Sequence, residues 1–277
     1  MRGAGNVIRR RPATSFLVLA FTISYIAGLP FNFAVTAVAG LSDFWASYLP
    51  RLVTVLGPSV AAVVVARAGA GGISVANLIG SLGIRSRYVP WLAVIVIVGL
   101  AAAFSAFSLA GVSTSELFGV VRAAPLMLAA HFIMQAAIVG VGEELGWRGW
   151  LLPYLSSKHS FASATALTGL AWTVWHMPVF LSGVALALSF FALLVALSVV
   201  HAWLWVRTQG SVGVVALAHA SVNAPFFFLE SAVRTRSEGT VIATKAFGYL
   251  SVMYLCLAVV LMIAFRHIWL SHREKHG

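Results

Sequence analysis

Two adjacent carboxylates and an arginine occur together in the stretch GVGEELGWRGW, which runs from Gly140 to Trp150. The surrounding chain is very apolar, because 61% of its residues are hydrophobic and only seven are acidic. Glu143 and Glu144 therefore carry two of the seven negative charges of the whole protein. A carboxylate inside a membrane helix is costly unless it is paired or faces a wet cavity, so its presence indicates a functional site.

Helical spacing predicts different roles for the two glutamates. Glu144 and Arg148 are four residues apart and share a helix face, whereas Glu143 points about 100° away from Glu144. We therefore predict a buried Glu144–Arg148 ion pair and leave Glu143 free to act as a general base. Two structural alternatives remain: the pair only holds the helix in register, or both glutamates lie near the lipid headgroups. The apolar residues that continue to Leu155 argue against the headgroup position.

Two histidines supply further groups for chemistry. His176 follows Trp172 by four residues in WTVWHMPVF, and His219 precedes Asn223 by four residues in HASVN. In each case a polar group lies in an apolar run that reads as a helix. Counted from the polar connection near Lys158, Glu144 lies 14 residues back and His176 lies 18 residues forward, which predicts comparable depths in the membrane.

This set of residues permits two kinds of water activation. Glu143, His176 and His219 can bind a divalent metal ion, for which zinc is the best match by ligand type. Alternatively, Glu143 and an oriented imidazole activate water without a metal. The amide of Asn223 suits an oxyanion hole, because it donates two N–H groups. His131 and His201 are interpreted as hydrogen-bonded packing residues.

The apolar runs predict an all-α polytopic membrane protein, since about 20 apolar residues are enough to cross a bilayer as a helix. Such a protein would hold the polar site within the membrane. We expect one transmembrane domain over residues 1–277, with a basic tail at 1–12 and the catalytic motifs within 143–223. About eight spans are predicted, at residues 14–38, 49–67, 88–111, 123–155, 161–182, 185–206, 211–229 and 245–267.

The net charge of +11 is explained by membrane orientation rather than by nucleic-acid binding, because the basic residues lie at span ends and form no stripe with aromatic residues. With both termini cytoplasmic, thirteen Lys and Arg residues fall inside and five outside. This excess predicts a multi-pass protein with both termini cytoplasmic. We expect the protein to lie in a prokaryotic plasma membrane. The inside residues are Arg2, Arg9, Arg10, Arg11, Arg67, Arg85, Arg87, Arg148, Lys158, Arg207, Arg266, Arg273 and Lys275.

The three motifs, in their order along the chain, resemble a known family. GEELGWR, WTVWH and HASVN are similar to EExxxR, FxxxH and HxxxN of the CAAX protease and bacteriocin-processing family (CPBP, also called Abi) of intramembrane proteases. The match extends over about 80 residues, from Glu143 to Asn223. One departure is visible: Trp172 stands where the family usually has Phe, and we expect this change to affect packing more than chemistry.

The resemblance implies roles for individual residues. Glu143 would activate the attacking water, Glu144 and Arg148 would position the site, and His176 and His219 would act as ligands or proton carriers. Asn223 would help to stabilise the oxyanion. The implied reaction is hydrolysis of a peptide bond in a membrane-embedded or lipidated peptide or protein. Some members trim the last three residues of prenylated CAAX proteins, whereas bacterial relatives are linked to peptide maturation, bacteriocin immunity and signalling.

Two other classes of function remain open from the residues. The first is a non-catalytic membrane scaffold or bacteriocin-immunity factor that keeps the polar cluster for partner binding. The second is a proton- or cation-coupled transporter, in which the glutamate and the histidines would carry the ion. The transporter is disfavoured by the absence of an internal repeat in the sequence.

Overall fold

The computed structural model describes residues 2–37 and 40–270, and side chains from Gly5 onward. The side chain of Arg2, together with Arg273 and Lys275, lies outside the described residues, so their predicted cytoplasmic position is not addressed. Every regular element in the described part is a helix, which confirms an all-α protein. The elements are α1 (Arg2–Arg10), α2 (Pro12–Thr36), α3 (Asp43–Ala46), α4 (Leu52–Arg67), α5 (Val75–Ser81), α6 (Ser86–Leu109), α7 (Thr114–Ala123), α8 (Pro125–Ser156), α9 (Phe161–Trp175), α10 (Val184–Arg207), α11 (Val212–Val233), α12 (Gly239–Ala264) and α13 (Arg266–Leu270).

Six of these helices are long and apolar enough to cross a membrane, namely α2, α6, α8, α10, α11 and α12. The two remaining predicted spans coincide with α4 and α9, which have only 16 and 15 residues. A helix of that length extends about 24 Å, which is less than the roughly 30 Å of a bilayer's hydrocarbon core. The protein is therefore polytopic, and the count of eight crossings stays a prediction.

The predicted fifth and sixth spans are separate helices. Helix α9 ends at Trp175, a 3-10 helix follows over Met177–Ser182, and α10 begins at Val184. Between them Gly183 has a φ of +109°, a conformation that residues with a side chain rarely adopt. This glycine turns the chain so that α9 and α10 pack against each other.

Helix α11 lies at the centre of the bundle. In its most apolar 18-residue window 83% of the residues are buried, against 22–39% in the other five long helices. It contacts α6, α8, α10 and α12. His219 and Ser221 on α11 therefore face protein rather than lipid.

Helix α8 is irregular on both sides of the glutamates. The chain forms π-helical turns over Gln135–Gly140 and Trp147–Leu151, and an ordinary α-helical segment, Val141–Gly146, lies between them. Wide turns of this kind occur frequently at functional sites, because they release backbone carbonyls from the regular hydrogen-bond pattern. The Ser59 hydroxyl donates to the carbonyl oxygens of Val141, at 2.8 Å, and Gly142, at 2.7 Å.

Two glycines allow α4 to approach this segment closely. A Cβ atom on Gly142 would lie 2.8 Å from the carbonyl oxygen of Val55, and one on Gly146 would lie 2.6 Å from Pro58. Both distances are too short for a real side chain. Small residues four apart are a common device for close helix packing in membranes. The stretch GEELG thus fixes α8 against α4 through its ends and carries the two carboxylates between them.

Candidate active site

Four helices bring their polar side chains to one buried cluster. Helix α8 contributes three residues, and α9, α10 and α11 contribute one each, while His176 lies directly after the end of α9. Most of their side chains are almost fully enclosed: Glu143 is 3% exposed, Glu144 0% and His219 4%, whereas His176 is partly exposed. The cluster consists of Glu143, Glu144, Arg148, Trp172, His176, His201 and His219.

The predicted Glu144–Arg148 ion pair is present. Nη1 of Arg148 donates to both carboxylate oxygens of Glu144, at 3.1 and 2.9 Å. Both side chains are at most 1% exposed. Arg148 therefore lies in the interior of the bundle, and its assignment to the cytoplasmic charges was wrong.

Two histidines also face Glu144. Nδ1 of His219 lies 2.9 Å from Oε1 of Glu144, and because a carboxylate only accepts, this nitrogen carries the hydrogen. Nδ1 of His201 lies 3.3 Å from the same oxygen without the geometry of a hydrogen bond. Neither ring nitrogen of His201 has a hydrogen-bond partner among the described residues.

His201 is the residue of this cluster that the sequence interpretation missed. It was assigned to packing by hydrogen bonding, and the structure instead leaves both of its nitrogens unpaired beside Glu144. A comparison of how far His201 and His219 lie from the turn between their helices would have identified His201. Counted outward from the turn between α10 and α11, His201 lies seven residues before Thr208 and His219 eight residues after Ser211, which places them at similar depth.

The surroundings of Glu143 are different. Nε1 of Trp172 donates to Oε2 of Glu143 at 2.7 Å, and Nε2 of His176 lies 3.9 Å from the same oxygen. Nδ1 of His176 lies 2.9 Å from the backbone carbonyl oxygen of Trp172. A carbonyl only accepts, so Nδ1 carries the hydrogen and Nε2 of the neutral ring is an acceptor. Two acceptors, one imidazole nitrogen and one carboxylate, thus face each other.

The expectation that Trp172 affects packing more than chemistry stays a prediction, although the ring makes a polar contact that sequence did not indicate. Its indole N–H contacts the carboxylate that is predicted to act as the base. The face of the same ring lies 4.4 Å from the guanidinium carbon of Arg148. Sequence could not show this, because the direction of the N–H depends on the packing of α9 against α8.

Asn223 lies one turn beyond His219 on α11. Its side-chain N–H donates to Oε1 of Gln135, on α8, at 3.2 Å. The amide group has a second N–H, since its nitrogen carries two hydrogens. Its role as an oxyanion donor stays a prediction.

The predicted metal ligands are not the ones that the structure groups together. Within the described residues, one group has ligand atoms that all lie within 4.8 Å of one another: Glu144, His201 and His219. The predicted set of Glu143, His176 and His219 is divided because Glu143 and Glu144 point in different directions from the helix and His219 binds Glu144. One carboxylate and two imidazoles suit zinc by ligand type, and the unpaired nitrogens of His201 fit that chemistry. Arg148 already neutralises the carboxylate of this group.

Comparison with known proteins agrees with this geometry. Residues 125–225 match the family model described as type II CAAX prenyl endopeptidase Rce1-like, and this range contains every residue of the cluster. The chain is similar to CAAX prenyl protease 2 of Methanococcus maripaludis, with 28% identity over 109 residues. That similarity covers 35% of this chain and 36% of the relative, so the chain spans about a third of the relative's length. Residues 125–225 are thus similar to the Rce1-like family of CAAX prenyl endopeptidases, and the resemblance indicated by the motifs is confirmed.

Proposed function

We propose that the protein is an intramembrane endopeptidase that hydrolyses a peptide bond with water activated by Glu143. The observation that carries this proposal is the pair of facing acceptors, Oε2 of Glu143 and Nε2 of His176, at 3.9 Å. Two acceptors do not attract each other directly. A water molecule between them donates one O–H to each, which is the arrangement that prepares its oxygen for attack.

The reaction requires one proton transfer in each direction. Glu143 takes a proton from the water while the water oxygen forms a bond with the carbonyl carbon of the substrate. The resulting oxyanion is stabilised by a side-chain N–H, for which the second N–H of Asn223 is the proposed donor. When the C–N bond breaks, Glu143 returns the proton to the departing amine nitrogen.

Glu144 has a supporting role in this proposal. Its two oxygens already accept three hydrogen bonds, from Arg148 and His219, so Glu144 is less available than Glu143 to serve as the base. The pair of charges is buried and hydrogen-bonded, which is the condition under which an ion pair is tolerated in an apolar interior. We propose that this network holds α8 and α11 in register around the reacting groups.

The proposed substrate is a membrane-associated or lipidated peptide or protein. The family description names prenyl endopeptidases, and α8, α10 and α11, which carry most of the site, are long and apolar enough to cross a bilayer, which supports this proposal. Burial of the cluster within the bundle favours a substrate that reaches it from the membrane or its interface. The methanococcal relative supports a prokaryotic plasma membrane as the location.

A bound divalent metal ion would be an alternative way to activate the water. Glu144, His201 and His219 are the residues that would hold it, and the ion would supply Lewis-acid polarisation there. The chain's own groups, Glu143 and His176, orient the water in either case.

The decisive experiment compares wild type with Glu143→Gln. Purified protein in lipid nanodiscs is incubated with a farnesylated peptide that ends in a CAAX sequence, and peptide and protein termini are compared in cells carrying each form. We expect cleavage by wild type and by the exposed control Glu238→Gln, and none by Glu143→Gln. Equal sets of termini in both cells, with no cleavage of the peptide, would exclude the peptidase in favour of a scaffold. A proton flux in proteoliposomes that Glu143→Gln abolishes would indicate the transporter.

A further inference from the structure

The hydrogen bond between Trp172 and Glu143 is specific to the tryptophan at this position. Nε1 of Trp172 lies 2.7 Å from Oε2 of Glu143, and Trp172 is 1% exposed. The indole N–H is a donor only, so its direction in this contact is unambiguous. Phenylalanine, which is usual at this position in the resembled family, has no group that can make the bond.

The ring of Trp172 also touches the other members of the cluster. Its centroid lies 4.4 Å from the guanidinium carbon of Arg148, 5.5 Å from the ring of His176 and 5.7 Å from that of His219. A phenyl ring can provide a similar apolar and cation-π surface. The contribution that belongs to tryptophan alone is therefore the N–H aimed at the carboxylate.

This donor restricts how Glu143 presents itself. A glutamate side chain has three rotatable bonds, and its carboxylate rotates freely when nothing holds it. The indole N–H fixes Oε2 beside His176, and Oε1 accepts no hydrogen bond among the described residues. The carboxylate is thus held in one orientation while it retains lone pairs for the water.

We infer that Trp172 is a positioning residue whose indole N–H orients the Glu143 carboxylate toward the attacking water. The inference rests on the proposed function of Glu143 as the base. Loss of the N–H leaves the ring contacts in place and releases the carboxylate. Binding of the substrate is then unchanged, and the chemical step slows.

The test removes the N–H and keeps the shape of the side chain. Trp172 is replaced by 3-benzothienylalanine, in which sulfur takes the place of the N–H, and separately by Trp172→Phe. The matched control is the same replacement at Trp150, which is 0% exposed and whose Nε1 has no hydrogen-bond partner among the described residues. For each form kcat and KM are measured on the farnesylated CAAX peptide, and the unfolding temperature is measured in the same detergent.

We expect the replacement at Trp172 to lower kcat by about 10- to 100-fold at unchanged KM, which is the range for a hydrogen bond to a charged group. The unfolding temperature should change no more than in the Trp150 control, which should keep wild-type kcat. Wild-type kcat in the benzothienyl form at position 172 would overturn the inference while leaving the proposed function intact. If wild-type protein and Glu143→Gln both fail to cleave the peptide, the proposed function and the inference that rests on it are both contradicted.

Discussion

The two neighbouring glutamates of α8 occupy regions that differ in how far their hydrogen-bonding capacity is used. Glu144 accepts three hydrogen bonds, two from Arg148 and one from His219, with His201 close by. Glu143 accepts one, from Trp172, and faces an imidazole nitrogen that also accepts. One helical step of about 100° separates these environments. The carboxylate with three hydrogen bonds is suited to stabilising the bundle, and the carboxylate with one remains available for a reactant.

The largest effect on activity should come from changing Glu143, which accepts only one hydrogen bond. Glu143→Gln should lower kcat by about 10²- to 10⁴-fold, the usual contribution of a general base, because an amide cannot take the proton of the water. The free energy of unfolding should change little, since the amide keeps an oxygen for the Trp172 N–H. Kinetics on the farnesylated peptide and unfolding in detergent measure the two quantities. A large loss of stability would show that Glu143 belongs to the structural network as well.

Changes to the partners of Glu144 should mainly affect the stability of the fold. Arg148→Ala leaves Glu144 buried without its ion-pair partner, so the free energy of unfolding should fall by about 3–5 kcal/mol. Folded yield and denaturant unfolding in detergent are the measurements.

A matched double variant sharpens this result. Glu144→Leu combined with Arg148→Met removes both charges, and it should recover much of the lost stability, because apolar residues of similar size often replace a buried pair without cost. Equal stability of Arg148→Ala and wild type would contradict the structural role of the pair.

Binding of a metal ion should depend on the residues around Glu144 and not on those around Glu143. If a divalent ion is required, exhaustive chelation should abolish cleavage and zinc should restore it, and His201→Leu should reduce the bound metal found by elemental analysis. His176→Leu serves as the control, because this residue lies on the Glu143 side and should leave the bound metal unchanged. Full activity in protein shown to be metal-free would assign water activation to Glu143 and His176 alone.

The smallest effect on activity is expected for probes at the two ends of the bundle. Ser157 follows α8 and Ser237 precedes α12, and both are exposed. In a Cys256→Ala background, single cysteines at these positions should react with a membrane-impermeant maleimide from opposite sides, with Ser157→Cys labelled only from the cytoplasm. The contact of Arg9 with the carbonyl oxygen of Ala68, at 2.7 Å, already joins two segments assigned to the cytoplasmic side. Labelling of Ser157→Cys from outside intact cells would reverse the proposed orientation.

Much of the fold follows from sequence because the relevant signals are local. Each of the eight predicted spans coincides with a helix, with ends that differ by a few residues in most cases. The Glu144–Arg148 pair was predictable because four-residue spacing on one helix determines the contact. The short lengths of α4 and α9 were missed because apolar residues continue past the ends of both helices.

The remaining features of the site depend on contacts between helices, which sequence spacing does not specify. The N–H of Trp172 reaches Glu143 only because α9 packs against α8 at one particular rotation. His201 enters the cluster because α10 turns that face toward α11. The π-helical turns around Val141–Gly146 have no local sequence signal, since they arise where α4 and α11 approach α8 closely.

The central position of α11 has a consequence for biosynthesis. Membrane helices leave the ribosome in order, and α11 follows α8, α9 and α10 along the chain. A nascent chain that has inserted only the earlier helices contains Glu143 but lacks His219, the partner that holds Glu144. The site is thus assembled late in translation, after nearly all of its surrounding helices have been made.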